Sequence, residues 1–423
     1  MREMKNSGIE WIGDIPKTWD IIPHKVVMHK QKDICEHYNG EDIISLTMGG
    51  VVVRDLTAGG KMPTTFDGYQ YVEEEDLLLC LFDIDVTPRC VGVVKNNGIT
   101  SPAYSRFKVH NGFYNCYYDY LLRAIDNDKV FVHLSKNLRS SLTETDFGAI
   151  KTVAPPYEEQ KKIAVFLDEK CAEIDTVIEK TKATIEEYKK LKQSVITQAV
   201  TKGIRPNRPM KDSGIEWIGE ISKDFFIYRM KHLLKSSLLY GANESGVPYD
   251  ETLPRYIRIT DITLDGKLKD SGKLSLTEES AKDYFLEDGD VLFARSGATV
   301  GKAFIYKKEY GRAAFAGYLI KATVSEKILP DYLFFYTQSS IYEEWKKQIF
   351  VQATIQNIGA DRYNELPIVI QPIQEQKGIV DYLNKKCSEI DELISKKTSL
   401  LSELESYKKS LIYEYVTGKK EVI

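Results

Sequence analysis

No apolar run in the 423-residue chain is long enough to cross a bilayer: the longest, such as Leu77 to Phe82, fall far short of the roughly 20 residues a membrane helix needs. The opening Met1-Arg2-Glu3-Met4-Lys5 lacks the apolar core of a secretion signal, so a cytoplasmic protein is expected. Cysteine is sparse. Cys35, Cys80, Cys90, Cys116, Cys171 and Cys387 form no Cys-x-x-Cys pair and have no histidine at zinc-like spacing, so neither a disulfide framework nor a metal site is indicated. Positive surplus is missing too. With 58 Lys and Arg against 62 Asp and Glu the net charge is −4, so any contact with nucleic acid must come from local patches or a basic partner. The remainder is ordinary globular composition, 43% hydrophobic and 28% charged, enough for two or more domains with real cores.

What the chain does have is repetition. A block from Glu159-Gln160-Lys161 to Thr201 returns, ungapped, as Glu375-Gln376-Lys377 to Thr417, and Ser7-Gly8-Ile9-Glu10-Trp11-Ile12-Gly13 returns as Ser213-Gly214-Ile215-Glu216-Trp217-Ile218-Gly219. The order is globule, helix, globule, helix, with the second globule about ten residues longer than the first. The expected division is 1–155, 156–203, 204–371 and 372–423.

Each repeated block reads as one long helix. Pro155-Pro156 followed by Glu158 and Glu159, and Pro372 followed by Glu375, suit a helix N-terminus. Ile163, Leu167, Ile174, Ile178, Ile185, Tyr188, Val195 and Ala199 then recur at three-, four- and seven-residue spacings, as do Ile379, Leu383, Ile390, Ile394, Leu401, Leu404, Leu411 and Tyr415. Gly203 and Gly418 stand at the ends. About 45 residues at ~1.5 Å each make a rod of roughly 65 Å, longer than a small domain requires. The apolar stripes are expected to bury each other as an antiparallel intramolecular coiled coil relating the repeats by a pseudo-two-fold axis; the alternative is that each helix packs on its own globule. The class is therefore α+β, with two mixed α/β globules and two long helices. Strands are expected at Leu77 to Leu81, Cys90 to Val94, Tyr256 to Thr260, Asp290 to Ala294 and Lys302 to Tyr306, and a helix carrying Tyr332, Leu333, Tyr336 and Trp345 is expected from Pro330.

Three motifs invite a catalytic reading, and each fails on chemistry. Ala154-Pro155-Pro156-Tyr157 has alanine where an amino-methyltransferase needs Asp or Asn, and no glycine-rich methyl-donor turn accompanies it. Gly297-Ala298-Thr299-Val300-Gly301-Lys302 is one residue short of a phosphate loop and is followed by Ala303 instead of a metal-binding hydroxyl, although its turn, between Arg295 and Lys302, could cradle a DNA phosphate. Asp331 with Glu344-Trp345-Lys346 outlines a nuclease set, but on one helix the carboxylates would lie some 20 Å apart. Asp83 and Asp85 read as solvated loop carboxylates or as acceptors from a cytosine amino group, and the repeat-equivalent Cys171 and Cys387 as small packing residues. No catalytic, cofactor or metal residues are assigned.

Trp-Ile-Gly near each globule's start, a proline then x-x-Glu-Gln leading into a Lys/Glu-rich helix, and the order head, helix, head, helix together resemble the specificity subunit of type I restriction-modification enzymes. The stretches that carry the resemblance are Pro156-Tyr157-Glu158-Glu159-Gln160-Lys161-Lys162-Ile163 and Pro372-Ile373-Gln374-Glu375-Gln376-Lys377-Gly378-Ile379, supported by Asp290 to Lys302. Ser222, where the first copy has Pro16, is a local departure. The resemblance implies two target recognition domains, each reading half of a split asymmetric site in double-stranded DNA, and helices that set the spacer. It also implies that the subunit lacks catalysis, docks two methyltransferase subunits that methylate adenine, and is joined by restriction subunits.

Two heads at fixed separation can enter successive grooves of a duplex, about 34 Å apart. The residues expected to touch DNA are Arg54, Lys61, Arg89, Lys95, Asn96, Arg106, Arg139 and Ser141 in the first head. In the second they are Arg255, Arg258, Arg295, Ser296, Thr299, Lys302, Gln352, Thr354, Gln356 and Asn357. Tyr69, Tyr104 and Tyr240 are further candidates. A stand-alone methyltransferase or nuclease, and a coiled-coil scaffold without DNA affinity, are the competing readings.

Overall fold

The computed structural model describes residues 2–47, 49–57, 63–86, 91–127, 129–135, 140–263, 266–351 and 356–422. The chain forms two compact units, Met1–Lys182 with Ser399–Ile423, and Ala183–Thr398. Each unit therefore holds one head, the start of one long helix and the end of the other. The helices run Tyr157–Lys202 and Ile373–Val416 and are followed by Gly203 and Gly418 at φ of 77° and 74°, a left-handed conformation that ends a helix at little cost for glycine.

Within each unit the two helix segments run antiparallel. In the first, Phe166 packs on Tyr415 with ring centroids 4.5 Å apart, and Lys408 Nζ lies 2.6 Å from Asp175. In the second, Lys192 Nζ lies 2.7 Å from Asp391, and Arg208 pairs with Glu375. The two Lys–Asp bridges are made of repeat-equivalent residues with the partners exchanged. The stripes also serve the heads. Ile163, Leu167, Ile174, Ile178, Leu411 and Val416 share one core with Trp19, Tyr117 and Phe147, and Ile196, Val200, Ile379 and Leu383 share the other with Phe225, Phe293 and Tyr363. Each fully buried side chain of this size contributes roughly 1.5–3 kcal/mol, so helix and head stabilise one another. Cys171 and Cys387 lie in these cores, and burial pushes their thiols up, that of Cys387 to about 11, which suits packing and not reactivity.

The repeated Glu-Gln has a local physical purpose. Gln160 Nε2 donates to Pro155 O at 2.7 Å and its Oε1 accepts from Tyr114 N at 2.8 Å. Its counterpart Gln376 donates to Gln371 O and Lys327 O and accepts from Leu329 N. These amides satisfy buried backbone groups where the head meets the helix start. Glu159 and Glu375 hold Arg2 and Arg208, respectively. The Trp-Ile-Gly repeats form matching turns: Met4–Asn6 pairs with Asp14–Pro16, and Met210–Asp212 with Glu220–Ser222 in the same register, Ser222 taking the place of Pro16.

The heads share a frame that their sequences do not reveal. A four-stranded sheet in the first, Val91–Val93, Leu77–Leu79, Ser105–Val109 and Met28–Gln31, has the same order as Ala303–Ile305, Val291–Ala294, Leu319–Ala322 and Leu239–Tyr240 in the second. An aspartate opens the inner strand of both: Asp76 Oδ2 accepts from Glu73 N at 2.7 Å and Asp290 Oδ2 from Glu287 N at 2.8 Å.

Two expected elements are revised. The strand begun at Tyr256 stops after Ile257, because Asp261 accepts from Arg258 N and pairs with its guanidinium, turning 259–261 into a 3-10 turn. The helix from Pro330 is two helices, Pro330–Tyr336 and Ser340–Val351. At the break Thr337 Oγ1 and Ser339 Oγ donate to Phe334 O and Tyr336 O, competing with the helical ladder.

Candidate nucleic-acid interface

In both heads a loop at the end of the inner strand pair meets a second segment that comes from just before the long helix. In the first unit Leu142 N donates to Leu81 O at 2.8 Å and Ile84 N to Ser140 O at 3.2 Å, bringing Ser141 beside the Phe82–Val86 loop. In the second, Ile358 N donates to Arg295 O at 2.9 Å and Ser296 bridges to Asn357, bringing Gln356 and Asn357 beside the Arg295–Lys302 loop. Leu142 and Ile358 are buried and anchor the crossing, while polar neighbours remain at the surface.

The second unit's cluster is the more developed. The Arg295 guanidinium lies over the Tyr240 ring, 4.9 Å from its centroid, and Arg295 N donates to Tyr318 O at 3.0 Å. Tyr240 Oη accepts from Ala360 N at 2.9 Å. A side chain at Gly241 would collide with the carbonyl oxygens of Phe315 and Ala316, so glycine is what lets the Tyr240 segment lie against the Gly317–Tyr318 turn. Tyr318 is 60% exposed and Tyr240 40%, so both rings are accessible to a ligand. Thr299 and Lys302 lie on the adjoining turn, Lys302 exposed.

The amides of Val300, Gly301 and Lys302 on that turn already donate to Gly297 O, Ala294 O and Thr299 O, so these three are not available to an anion. Tyr342 Oη closes the turn from below by donating to Gly301 O at 2.7 Å.

Other sequence candidates fall elsewhere. Arg106 is 0% exposed, its Nε 2.5 Å from Asp76 Oδ2 and its Nη1 donating to Tyr71 O, so this expected DNA contact is a core ion pair. Burial raises the Asp76 carboxyl from its usual range even beside this guanidinium. Arg255 is likewise buried, donating to Lys269 O, and leaves the candidate set. Arg258 is half-buried and committed to Asp261 and Gly272 O. Lys95 and Asn96 are exposed, but they follow Val91–Val93 at the end of the strand pair remote from the Phe82 loop. Arg54 is half-exposed on the Gly50–Val53 edge, its amide donating to Ile43 O at 2.7 Å. Tyr69 and Tyr104 are half-buried, Tyr69 against Phe66 and Tyr104 through its carbonyl to Gln70. Lys61, Arg89, Arg139, Gln352 and Thr354 lie outside the described residues. Tyr318 escaped the sequence reading; a glycine–aromatic pair at a strand turn was the only signal for it.

The nuclease outline dissolves, because Asp331 pairs with Lys307, Glu344 with Lys347 and Lys346 with Glu343, on two helices instead of one. Among the described residues there is no group of three potential metal ligands, and no helix is long and apolar enough to cross a membrane.

Residues 224–403 match the family model of the type I restriction modification DNA specificity domain. The type I restriction enzyme MjaVIII specificity subunit of Methanocaldococcus jannaschii is 25% identical over 266 residues, 59% of this chain and 57% of that protein. The EcoKI specificity subunit of Escherichia coli is 24% identical over 250 residues, 57% of this chain and 51% of its own length. The chain is thus similar to type I specificity subunits over part of its length, most directly across 224–403. It spans 61% or less of the length of the curated relatives it matches. A solved chain from work on complex assembly and conformational transition of a type I system shares the fold, with a TM-score of 0.72 over 96% of this chain and 99% of that one at 14% identity. That solved chain thus shares with this one the head and long-helix architecture built above.

Proposed function

We propose that the chain is the noncatalytic, sequence-reading subunit of a type I restriction-modification system. Each head reads one half of a bipartite, asymmetric site in double-stranded DNA, and the long helices set the spacer between the halves. The observation that carries this is the two-segment crossing found in both heads on sheets of the same strand order, with different side chains displayed: Phe82, Asp83, Asp85 and Ser141 in one, Arg295, Ser296, Thr299, Lys302, Gln356 and Asn357 in the other. Loops on a common frame are the means by which base edges are read with different specificity. Arg54 and Lys302, together with the lysines and arginines outside the described residues, are assigned to phosphates.

The partners are two methyltransferase subunits, with restriction subunits joining the assembly. Support comes from exposed apolar residues that recur in equivalent places: Val177 and Tyr407 in the first unit, Leu393 and Leu191 in the second. Two equivalent faces suit two copies of one partner.

The experiment is adenine-methylation mapping with the purified chain, with and without its methyltransferase partner. Methylation that requires both and falls on one bipartite sequence is expected. Methyl transfer or cleavage by the isolated chain favours a stand-alone enzyme, and sequence-independent behaviour favours a scaffold; either outcome overturns the proposal. Inserting residues in register into the first long helix lengthens the spacer and leaves both half-sites unchanged.

A further inference from the structure

We propose that Arg295 is the guanine reader of the second unit, a preorganised fork that recognises one G·C pair in the major groove of its half-site. This deepens the DNA-recognition proposal and rests on it.

Arginines in this head are mostly neutralised by design. Arg258 is paired with Asp261, Arg312 with Glu278, Arg229 with Glu365 and Arg208 with Glu375. Arg295 differs: among the described residues its guanidinium has no carboxylate partner, and its Nε is enclosed without an acceptor. What holds it is an aromatic face. The cation–π contact with Tyr240 consumes no N–H donor and so leaves guanidinium N–H groups for an acceptor.

The mounting is rigid at every joint. The residue's own N–H and C=O are both engaged, by Tyr318 O and Ile358 N, and the Tyr240 ring is pinned through Ala360 N. A side chain fixed in this way loses little freedom on binding, which is what selective readout requires. The acceptor pair that matches a planar fork is O6 and N7 of guanine, whereas a phosphate contact asks only for a charge, which exposed Lys302 provides nearby. Backbone links join Arg295 to exposed Tyr318 and Ser296 to Asn357, so the neighbouring segments carry an aromatic ring and small polar groups suited to the flanking edges. In the first unit Leu81 occupies the corresponding place, so this reader belongs to one half-site alone.

The test uses the full chain assembled with its methyltransferase partner and maps methylated adenines across a genome for wild type, Arg295→Lys, Arg295→Ala, Tyr240→Phe and Tyr240→Ala. The expected result is that Arg295→Lys and Arg295→Ala lower discrimination at a single G·C position by about 5- to 100-fold while the other half-site is unchanged. Tyr240→Phe keeps the ring but loses the hydrogen bond from Ala360 N, so it relaxes the same position partly; Tyr240→Ala relaxes it further. Binding titrations over a salt series expose the contrary case. If Arg295→Ala weakens all sequences equally, flattens the salt slope by about one and leaves the methylation motif intact, the residue is a phosphate contact and the inference is wrong. A wild-type assembly without any bipartite motif removes the broader proposal instead. Arg295→Lys retains charge and bulk, so it keeps the test open if the alanine variant does not fold.

Discussion

Leu81–Val86 and Arg295–Lys302 are the same loop in two chemistries. Both leave the inner strand of an identically ordered sheet and both are crossed by a segment that ends in a buried aliphatic residue, Leu142 or Ile358. One presents Phe82, Asp83 and Asp85, the other Arg295, Ser296, Thr299 and Lys302. Backbone pairing maintains the frame in both heads, and the two loops differ in side chains that the frame does not need. Beneath the loops, the heads differ again. The inner-strand aspartate meets a fully buried Arg106 in the first unit and, in the second, a partly accessible Lys321 Nζ at 3.7 Å.

The parallel breaks most sharply at that aspartate. Asp76→Ala leaves Arg106 buried without its closest counter-charge and is expected to destabilise the first head by about 3–5 kcal/mol. Asp290→Ala removes the same turn acceptor but leaves Lys321 able to swing outward, so its cost is smaller. Unit-resolved hydrogen exchange on both variants measures the difference, and equal losses would refute the role given to Arg106.

A second asymmetry is sensitive to pH. His24 is buried, its ring stacked on Phe147 at 4.6 Å and its Nδ1 directed at Phe147 O, and burial depresses it from 6.5 to about 4. The equivalent position in the second unit is Met230, also buried. Because the folded value lies below the unfolded one, the stabilisation is complete above pH 6.5 and is lost as pH falls toward 4. At pH 5 the first unit should have lost about 2 kcal/mol from this group, with no matching loss in the second. His24→Met is expected to remove that part of the acid sensitivity, measured by thermal unfolding of each unit between pH 7 and 5.

The smallest effect concerns the matched bridges on the long helices. Lys408→Ala and Lys192→Ala each remove a partly exposed pair, Lys408–Asp175 or Lys192–Asp391, and each should cost at most about 1 kcal/mol, less in high salt. Chemical denaturation at two salt concentrations should give the same value for both, because the pairs are repeat-equivalent; a several-fold disparity would mean that their surroundings differ.

The long helices were legible because their signal is local and repeated: proline and acids at the start, a periodic apolar stripe, glycine after the last turn. The strands of the heads were legible in outline, with one end displaced where Asp261 captured Arg258, and the helix from Pro330 was broken where Thr337 and Ser339 took its carbonyls. Site residues were harder. Ser141, Gln356 and Asn357 do lie beside the two loops, but Arg106 and Arg255 were misassigned because a charge in the sequence does not disclose whether a carboxylate or carbonyl waits for it inside.

From the order of residues alone came the duplicated plan and the two rods with their apolar seams, since periodicity, turn chemistry and motif spacing act over short stretches of chain. Which arginine is neutralised and which is held open depended on contacts made in three dimensions. Tyr240, Arg295, Tyr318 and Asn357 lie far apart along the chain, and only cross-strand hydrogen bonding and a close approach at Gly241 bring them to one surface.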